Sequence, residues 1–329
     1  MGGARKSPLS LSRLICFPCY QMPSINYIQE FLDYLRYEVD ASPMTIENYG
    51  KDLWAFLAHV EARTGEPFVP SPHDLDHVRE WLSHKLDTGS KASSVGKYLS
   101  SLKSYYRYLL KLGVIKVNPI QALRPPKADK PLPVYVPTED VNRIIDEVVT
   151  PTDWRGQRDQ LILSILYECG LRRSELAHLV DADVDTELRQ LKVLGKGRKE
   201  RIVPFGEGLA QMIEAWREER TKLFGQTKSL LVSPSGEAMS PEAIYAVVHQ
   251  ALRSVPNLSR RGAHALRHSF ATDMLNSGGD LMLLRELMGH NSVSTTVRYT
   301  HTSFEQLKKL YAAHPRVARP PRDISDGEE

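Results

Sequence analysis

The amino-acid sequence predicts a mainly α-helical protein of two domains: a four-helix bundle, then a larger helical domain with a small β-hairpin. Three observations predict this fold. Apolar residues recur at helical spacing in four segments between 24 and 112. A proline-rich stretch then interrupts the helical pattern. Beyond it, two short apolar segments flank a glycine-containing turn at 195–199. The 329 residues suffice for two hydrophobic cores.

The N-terminal domain is expected over 24–112, after an extension, 1–23, that we predict to be disordered. Met22 is an alternative start. The first helix is marked by the apolar residues Ile28, Phe31, Leu32, Leu35 and Val39. Ser42 followed by Pro43 is typical of an N-cap and first helical turn, which places the start of the second helix. A third helix is expected from Asp74 to Leu86, and a fourth from about Ser93 to just before Gly113.

The predicted fourth helix has two contrasting faces. At about 100° per residue, one face carries Val95, Leu99, Leu102, Tyr106 and Leu109. The opposite arc holds basic and hydroxyl side chains without an acidic residue: Lys97, Ser100, Lys103, Ser104, Arg107 and Lys111. Such a face is typical either of a solvated surface or of a helix that lies on DNA phosphates. We predict DNA contacts by Lys97, Lys103, Arg107 and Lys111.

Residues 113–134 are predicted to form a basic linker, because prolines recur there among Arg124, Lys127 and Lys130. The second domain is expected over 135–316. Thr138 is expected to cap its first helix, and 188–194 and 201–205 are expected to be the strands of the hairpin. Residues 317–329 are predicted to be a disordered acidic tail.

Composition excludes several classes of protein. The net charge of +3 does not by itself indicate a nucleic-acid partner, but removal of the acidic tail leaves a more basic body. No apolar run approaches the ~20 residues that span a bilayer, so no membrane partner is predicted. Three cysteines cannot form a disulfide framework, and Cys169 lies in an apolar run typical of a core. The predicted compartment is the reducing cytoplasm.

Six residues form the candidate catalytic set, in this order: Arg172, Lys196, His264, Arg267, His290 and Tyr299. The phenol of Tyr299 suits attack on a phosphodiester. A free phenol has a pKa of about 10, so a tyrosine nucleophile must be activated, and the negative charge of the phosphodiester must be neutralised before the attack. Planar guanidinium groups do this by binding paired phosphate oxygens. Neither an acidic metal cluster nor a phosphate-binding glycine loop accompanies the set, so no metal or cofactor is predicted.

The expected roles differ in how far the sequence defines them. Lys196 lies between two glycines in the hairpin turn, where it can donate a proton to the departing sugar oxygen. His264 either takes the proton of Tyr299 or hydrogen-bonds the phosphate, and both roles stay open. Arg267 lies three residues after His264, so both side chains leave the same helical face. His290 follows Gly289, an expected helix C-cap.

Other interpretations remain. Taken singly, each residue has an ordinary explanation: Arg172, for example, is one turn from Glu175. A metal-dependent hydrolase would use His264, His268, His290 and His301, but its nearest carboxylate, Asp273, is poorly placed. A swivelling topoisomerase would use the same tyrosine chemistry. A purely architectural DNA-binding protein would keep the fold without activity. The aspartates 181, 183 and 185 are no calcium loop, because a threonine replaces the required glycine.

Four sequence boxes together resemble the tyrosine recombinases, or phage integrase family. These are Gly170-Leu171-Arg172-Arg173-Ser174-Glu175-Leu176, Gly195-Lys196-Gly197, the nine residues from His264 to Thr272, and Met288-Gly289-His290 followed by Tyr299. The resemblance covers nearly all of the chain after residue 24. The ending 311–316 is similar to that of the bacterial Xer branch of the family.

The resemblance implies a covalent 3′-phosphotyrosyl intermediate and strand exchange without metal or ATP. It implies that the N-terminal bundle is a SAM-like core-binding domain, which clamps DNA together with the catalytic domain. The expected partners are a double-stranded recombination site and a second Xer-type recombinase in a cyclic tetramer, with a DNA translocase at the division septum as a further candidate. The segment after Tyr299 is expected to dock on a neighbouring protomer. The expected task is chromosome-dimer resolution; the alternative is an integrase or invertase of a mobile element.

Overall fold

The computed structural model describes residues 24–127, 134–149, 151–195, 199–289, 311–312 and 314–317. The chain divides into two compact units, Met1–Pro131 and Leu132–Glu329. Both units are mainly helical, and a three-stranded sheet lies in the second. The predicted fold class is therefore confirmed. In the described part of the chain, no helix is both long enough and apolar enough to cross a membrane.

The described part of the first unit contains four helices: α1 (Ser24–Tyr37), α2 (Pro43–Thr64), α3 (Leu75–Asp87) and α4 (Ala92–Lys111). Ser42 is the N-cap of α2, as predicted, and its side chain accepts a hydrogen bond from the backbone N–H of Thr45. Val39 was expected in the stripe of the first helix. It lies beyond the end of α1 instead and is exposed, because the helix stops at Tyr37.

The core of the first unit is rich in aromatic side chains. Phe31 packs against Tyr105, and Phe56 against Trp81, with the rings of each pair edge to face or nearly so. All five apolar residues predicted for one face of α4 are buried. Ile115 and Ile120, which belong to the stretch predicted as linker, are buried in the same core. The early part of that stretch therefore packs with the helical bundle.

The second unit begins with α5 (Thr138–Arg143), a π-helical turn (Ile144–Val148), α6 (Trp154–Glu168) and α7 (Arg173–Ala177). Three strands follow: β1 (Val184–Asp185), β2 (Gln190–Leu194) and β3 (Glu200–Pro204). Helices α8 (Glu207–Phe224), α9 (Pro241–Ala251), α10 (Ala263–Asn276) and α11 (Leu281–Leu287) come after them. The sheet is antiparallel in the order β1-β2-β3, with Leu191 opposite Val203.

The hairpin of β2 and β3 is confirmed, whereas the two-residue β1 was not predicted. The predicted capping of α5 by Thr138 is wrong. Pro137 occupies the N-cap position there, without a side-chain cap, and Thr138 is the first helical residue. The observed N-cap is therefore one residue before the predicted one. A proline also suits this boundary, because its φ is fixed near the helical value.

Helix α6 lies at the centre of the second unit and packs against α7, α8, α9 and α10. Its residues from Leu161 to Tyr167 are all buried. The chain leaves α6 through Gly170, which has a φ of 58°. A Cβ at that position would overlap the ring of Phe270 on α10. Glycine therefore lets the end of α6 lie directly against α10, where two predicted site residues reside.

Candidate active site

Arg172 occupies the N-cap position of α7. Its backbone N–H donates to Glu175 Oε2 at 2.8 Å, and its Nη1 donates to Glu175 Oε1 at 2.7 Å. Its Nη2 donates to the carbonyl oxygen of Gly289 at 3.0 Å. The side chain is 31% exposed. Arg172 is thus held by fixed acceptors and still reaches the surface.

Arg267 lies on α10 and is buried. Its Nη1 donates to the carbonyl oxygen of Gly170, and its Nη2 donates to that of Met288. Burial lowers the pKa of its guanidinium to about 10, and the neighbouring charge of Arg172 contributes. Arg267 therefore stays cationic at neutral pH, close to a second cation.

Arg201, on β3, belongs to the same cluster and was missed from the sequence. Its Nη1 and Nη2 donate to the two carboxylate oxygens of Glu175 at 2.9 and 2.8 Å, and its Nε donates to the carbonyl oxygen of Leu287 at 2.7 Å. A signal was present, because Arg201 and Val203 alternate on the buried face of β3. An arginine at an inward position needs a buried carboxylate.

Glu175 lies between these arginines and is buried. Burial by itself raises the pKa of this carboxyl, but the hydrogen bonds and charge of Arg201, with hydrogen bonds from Arg172, lower it to about 2. Glu175 is consequently ionised at neutral pH. Three cations against one carboxylate leave the cluster positively charged, as a phosphate site requires.

The three arginines also bind three successive carbonyl groups at the end of α11. Arg201, Arg267 and Arg172 donate respectively to residues 287, 288 and 289. Carbonyls at a helix C-terminus lack partners within the helix and carry partial negative charge, so guanidinium groups suit them. Gly289 has a φ of 65°, and a Cβ there would lie 3.4 Å from Arg201 Nη1. The chain is thereby fixed beside the arginines just before His290.

His264 lies on α10, one turn before Arg267, and its side chain is exposed. Partial burial lowers the pKa of the imidazole, and the charges of Arg267, Arg173 and Arg172 lower it further. The neutral imidazole therefore predominates at pH 7. The structure thus brings together Arg172, His264 and Arg267. Lys196, His290 and Tyr299 lie outside the described residues.

In the first unit, the predicted basic face of α4 borders a shallow cavity of about 260 Å³. Its lining combines α4 with one residue of α2 and one beyond α4: Tyr49, Gly96, Leu99, Ser100, Lys103, Ser104, Arg107 and Pro125. We call it the α4 groove. Arg107 is exposed, and Lys103 Nζ donates to the carbonyl oxygen of Gln121 at 3.2 Å.

Lys97 and Lys111, the other two predicted DNA contacts, do not line the α4 groove. Lys111 Nζ lies 3.5 Å from a carboxylate oxygen of Glu38 and 4.5 Å from the ring centroid of Tyr34. The basic arc of α4 therefore has an acidic neighbour supplied by the end of α1. Lys103 and Arg107 form the part of the arc that borders the groove.

Two of the aspartates that were considered for a metal site or a calcium loop form hydrogen bonds or ion pairs within the second unit. Asp273 accepts hydrogen bonds from Tyr135 Oη at 2.9 Å and Tyr167 Oη at 2.6 Å. Asp181 forms ion pairs with Arg217 and Arg220. Among the residues that the structure describes, no group of three or more His, Cys, Asp or Glu side chains is placed to hold a metal ion. Two of the four histidines of the alternative metal site lie outside that part.

Two family models match the chain. The model described as "Phage integrase family" matches residues 135–306, and "Phage integrase, N-terminal SAM-like domain" matches residues 28–113. Among curated relatives, the tyrosine recombinase XerC of Chlorobaculum tepidum is 34% identical over 319 residues, covering 89% of this chain and 95% of the relative. The XerC of Pelobacter propionicus is 35% identical over 303 residues, covering 91% and 98%.

Solved structures share the fold at lower identity. The Tn1549 transposon integrase in complex with a circular intermediate DNA has a TM-score of 0.63 and 19% identity, covering 86% of this chain and 98% of that one. The λ integrase tetramer bound to a Holliday junction has a TM-score of 0.60 and 19% identity, covering 85% and 80%. At these identities the likeness concerns the fold alone.

Proposed function

This chain belongs to the phage integrase family, the tyrosine recombinases, which are DNA strand-exchange enzymes, and on that premise we propose that Tyr299 cuts and rejoins DNA through a covalent 3′-phosphotyrosyl intermediate. The arginine cluster carries the proposal. Arg172 and Arg267 converge in a positively charged network, beside the chain that leads to His290. Such an arrangement suits a phosphodiester whose charge must be neutralised before attack.

The reaction balances without a nucleotide. The phenolic oxygen of Tyr299 forms a bond to phosphorus, while the bond from phosphorus to the 5′ sugar oxygen breaks. Lys196 donates a proton to the departing sugar oxygen, and His264, being mainly neutral, accepts the phenolic proton or hydrogen-bonds a phosphate oxygen. One ester replaces another, so the step is nearly reversible. Losing one preorganised donor to the transition state costs about 3 kcal/mol, roughly a hundredfold in rate.

Arg172 has further N–H groups that can donate hydrogen bonds to a phosphate. An arginine carries five N–H groups, and among the described residues Arg172 uses Nη1 for Glu175 and Nη2 for Gly289. Its partial exposure leaves the remaining N–H groups open to a ligand. Arg267 is more deeply buried, and its positive charge adds to that of Arg172 within the same cluster.

The first unit is proposed to bind the DNA backbone through the α4 groove. Lys103 and Arg107 supply cations, and the hydroxyl groups of Ser100 and Ser104 supply neutral donors on the same surface. Lys97 and Lys111 are proposed as further contacts outside the groove. Lys111 should be the weaker contact, because it already has Glu38 and Tyr34 as partners.

The biological task that we favour is chromosome-dimer resolution in the cytoplasm, with a second Xer-type recombinase in a cyclic tetramer and a septal DNA translocase. The XerC names of the curated relatives support it, and the λ integrase has been solved as a tetramer on a Holliday junction. Mapping covalently trapped sites across the genome separates the alternatives. Dimer resolution requires one chromosomal site, whereas an integrase marks element ends and an invertase marks an inverted pair.

Covalent trapping tests the nucleophile directly. On a nicked suicide substrate, the wild-type protein is expected to form a protein–DNA adduct, and Tyr299→Phe is expected to bind DNA without forming one. Tyr37→Phe, at a side chain 76% exposed in the first unit, is the matched control and should behave as wild type. An adduct that persists in Tyr299→Phe, or a peptide map that places the phosphate on another residue, contradicts the assignment.

A further inference from the structure

A fourth arginine borders the candidate site without belonging to the arginine cluster. Arg173 is the first residue of α7, directly after Arg172, and its side chain is 40% exposed. Its guanidinium carbon lies 5.7 Å from the ring centroid of Tyr245 on α9. Tyr245 in turn lies against Gly262, where a Cβ would be 3.4 Å from Tyr245 Cε2. Arg173 thus lies on an aromatic platform that is itself packed against the start of α10.

The charged partner of Arg173 is weakly held. Its Nη2 lies 3.8 Å from Glu242 Oε1, and the Glu242 side chain is 75% exposed. A solvated ion pair of this kind contributes little to stability, so an anionic ligand can displace the carboxylate at little cost. Arg172 differs, because Glu175 and Gly289 bind it at 2.7 to 3.0 Å.

Arg173 acts electrostatically on the candidate site. Its charge is one of the three that lower the pKa of His264, after burial and after that of Arg267. The guanidinium of Arg173 is therefore near the imidazole of His264. The contact with the Tyr245 ring is a cation–π interaction and not a hydrogen bond, so it leaves the N–H groups of Arg173 available to a ligand.

We infer that Arg173, supported by Tyr245, binds a DNA phosphate adjacent to the one that is cut, and that Glu242 occupies this position in the free protein. The inference rests on the proposed function and deepens it, since it names a further contact to the same substrate. DNA binding exchanges the exposed Arg173–Glu242 pair for an arginine–phosphate pair, which places the neighbouring Arg172 on the scissile phosphate.

The salt dependence of DNA binding tests this contact. Binding of a labelled mixed-sequence duplex is measured against salt in a Tyr299→Phe background, so that no cleavage intervenes. Arg173→Gln is expected to reduce the slope of log K against log salt by about 0.9, the loss of one phosphate contact. Glu242→Gln is expected to tighten binding, because the competing carboxylate is gone. Lys222→Gln, which removes an exposed cation 3.9 Å from Glu219, is the control and should leave the slope unchanged.

The outcomes separate this inference from its alternatives. An unchanged slope in Arg173→Gln, or weaker binding in Glu242→Gln, overturns it and leaves a surface ion pair only. Tyr245→Phe should behave as its parent because the ring remains, whereas Tyr245→Leu should reproduce part of the loss. Equal losses in these two variants also count against the platform. Because the readout is binding, failure of the nucleophile assignment leaves this result unaffected.

The pKa of His264 provides a second measure, from an NMR titration of its imidazole in the same Tyr299→Phe background. Removing the charge of Arg173 lets that pKa rise towards its ordinary value of 6.5. The titration midpoint should then move to higher pH in Arg173→Gln, with an unaltered thermal unfolding curve. A midpoint that stays in place contradicts the electrostatic part of the inference.

Discussion

The arginine cluster of the second unit and the α4 groove of the first are both basic, but they hold their charges in opposite ways. In the cluster, Arg201 and Arg267 are each only 5% exposed, and a carboxylate and backbone carbonyls fix them. In the groove, Arg107 is exposed, and Lys103 donates to the backbone carbonyl of Gln121. Catalysis requires charges at fixed positions, whereas binding of the DNA phosphate backbone tolerates charges on mobile side chains.

The difference has an energetic cause. Burying a guanidinium costs several kcal/mol unless hydrogen bonds and an opposite charge offset it. Glu175 and the carbonyls at the end of α11 provide that offset, so the cluster is rigid before substrate arrives. Exposed cations avoid this cost and gain instead from the release of counterions when DNA binds. Substitutions should therefore affect stability and cleavage in the cluster, but mainly affinity in the groove.

The largest effect is expected for Glu175→Gln. Removing one partner of a buried ion pair leaves uncompensated charge and costs about 3–5 kcal/mol. Urea unfolding should register that loss, together with a collapse of the cleavage rate. Glu207→Gln, which removes an exposed partner 3.0 Å from Arg189, is the control and should cost less than about 1 kcal/mol. Equal losses for the two glutamates would erase the contrast between buried and exposed pairs.

Acid titration sharpens the same comparison. The pKa of Glu175 is about 2 in the folded protein against an ordinary value of 4.5. Its contribution to the free energy of unfolding is therefore complete above pH 4.5 and is lost as the pH falls through 2. The stability difference between wild type and Glu175→Gln should shrink across that window. A difference that stays constant down to pH 2 would mean that the carboxylate charge does not stabilise the fold.

Gly289→Ala is expected to have an intermediate effect. A left-handed φ costs about 1–2 kcal/mol in a residue with a Cβ, and the new methyl would lie 3.4 Å from Arg201 Nη1 and 3.5 Å from Arg172 Nη1. Gly278→Ala is a matched control, because Gly278 has a φ of 84° and open space around its Cβ position. Both variants should lose similar stability in thermal unfolding, and only Gly289→Ala should lose cleavage. Similar cleavage rates in both variants would show that the end of α11 does not position the arginines for catalysis.

The smallest effects are expected on α4. Arg107→Gln should lower the salt slope of DNA binding by about 0.9, while the midpoint of thermal unfolding stays the same. Lys111→Gln should lower it less, because Glu38 and Tyr34 already engage that ammonium group. A larger change for Lys111 than for Arg107 would show that the groove is not the main backbone contact.

Local signals sufficed to predict much of this organisation. The apolar stripe of α4 identified its buried face, and the glycine turn identified the hairpin of β2 and β3. The order of basic residues also predicted the convergence of Arg172, His264 and Arg267. For the stripe and the hairpin, the deciding information lies within one element, where periodicity and turn chemistry are reliable. Arg172 and Arg267 lie on different helices, so their convergence was expected from the set as a whole and not from a local pattern.

The remaining features depend on long-range packing. Arg201 meets Glu175 only because β3 lies beside α7, and no local pattern fixes that pairing. The pairing of Lys111 with Glu38 depends likewise on how α1 ends near α4. In the predicted linker, prolines correctly indicated irregular backbone but concealed the burial of Ile115 and Ile120. Irregular backbone is compatible with a core as well as with a linker.

Charge neutralisation at phosphorus can be measured by comparing a phosphate with a neutral methylphosphonate at the scissile position. Arg172→Ala is the suitable variant, because Glu175 keeps its two hydrogen bonds from Arg201 and the cluster stays paired. On the phosphate substrate, its cleavage rate should fall roughly a hundredfold. On the methylphosphonate, which has no charge to neutralise, the variant should approach the wild-type rate. A variant equally defective on both substrates would contradict the account.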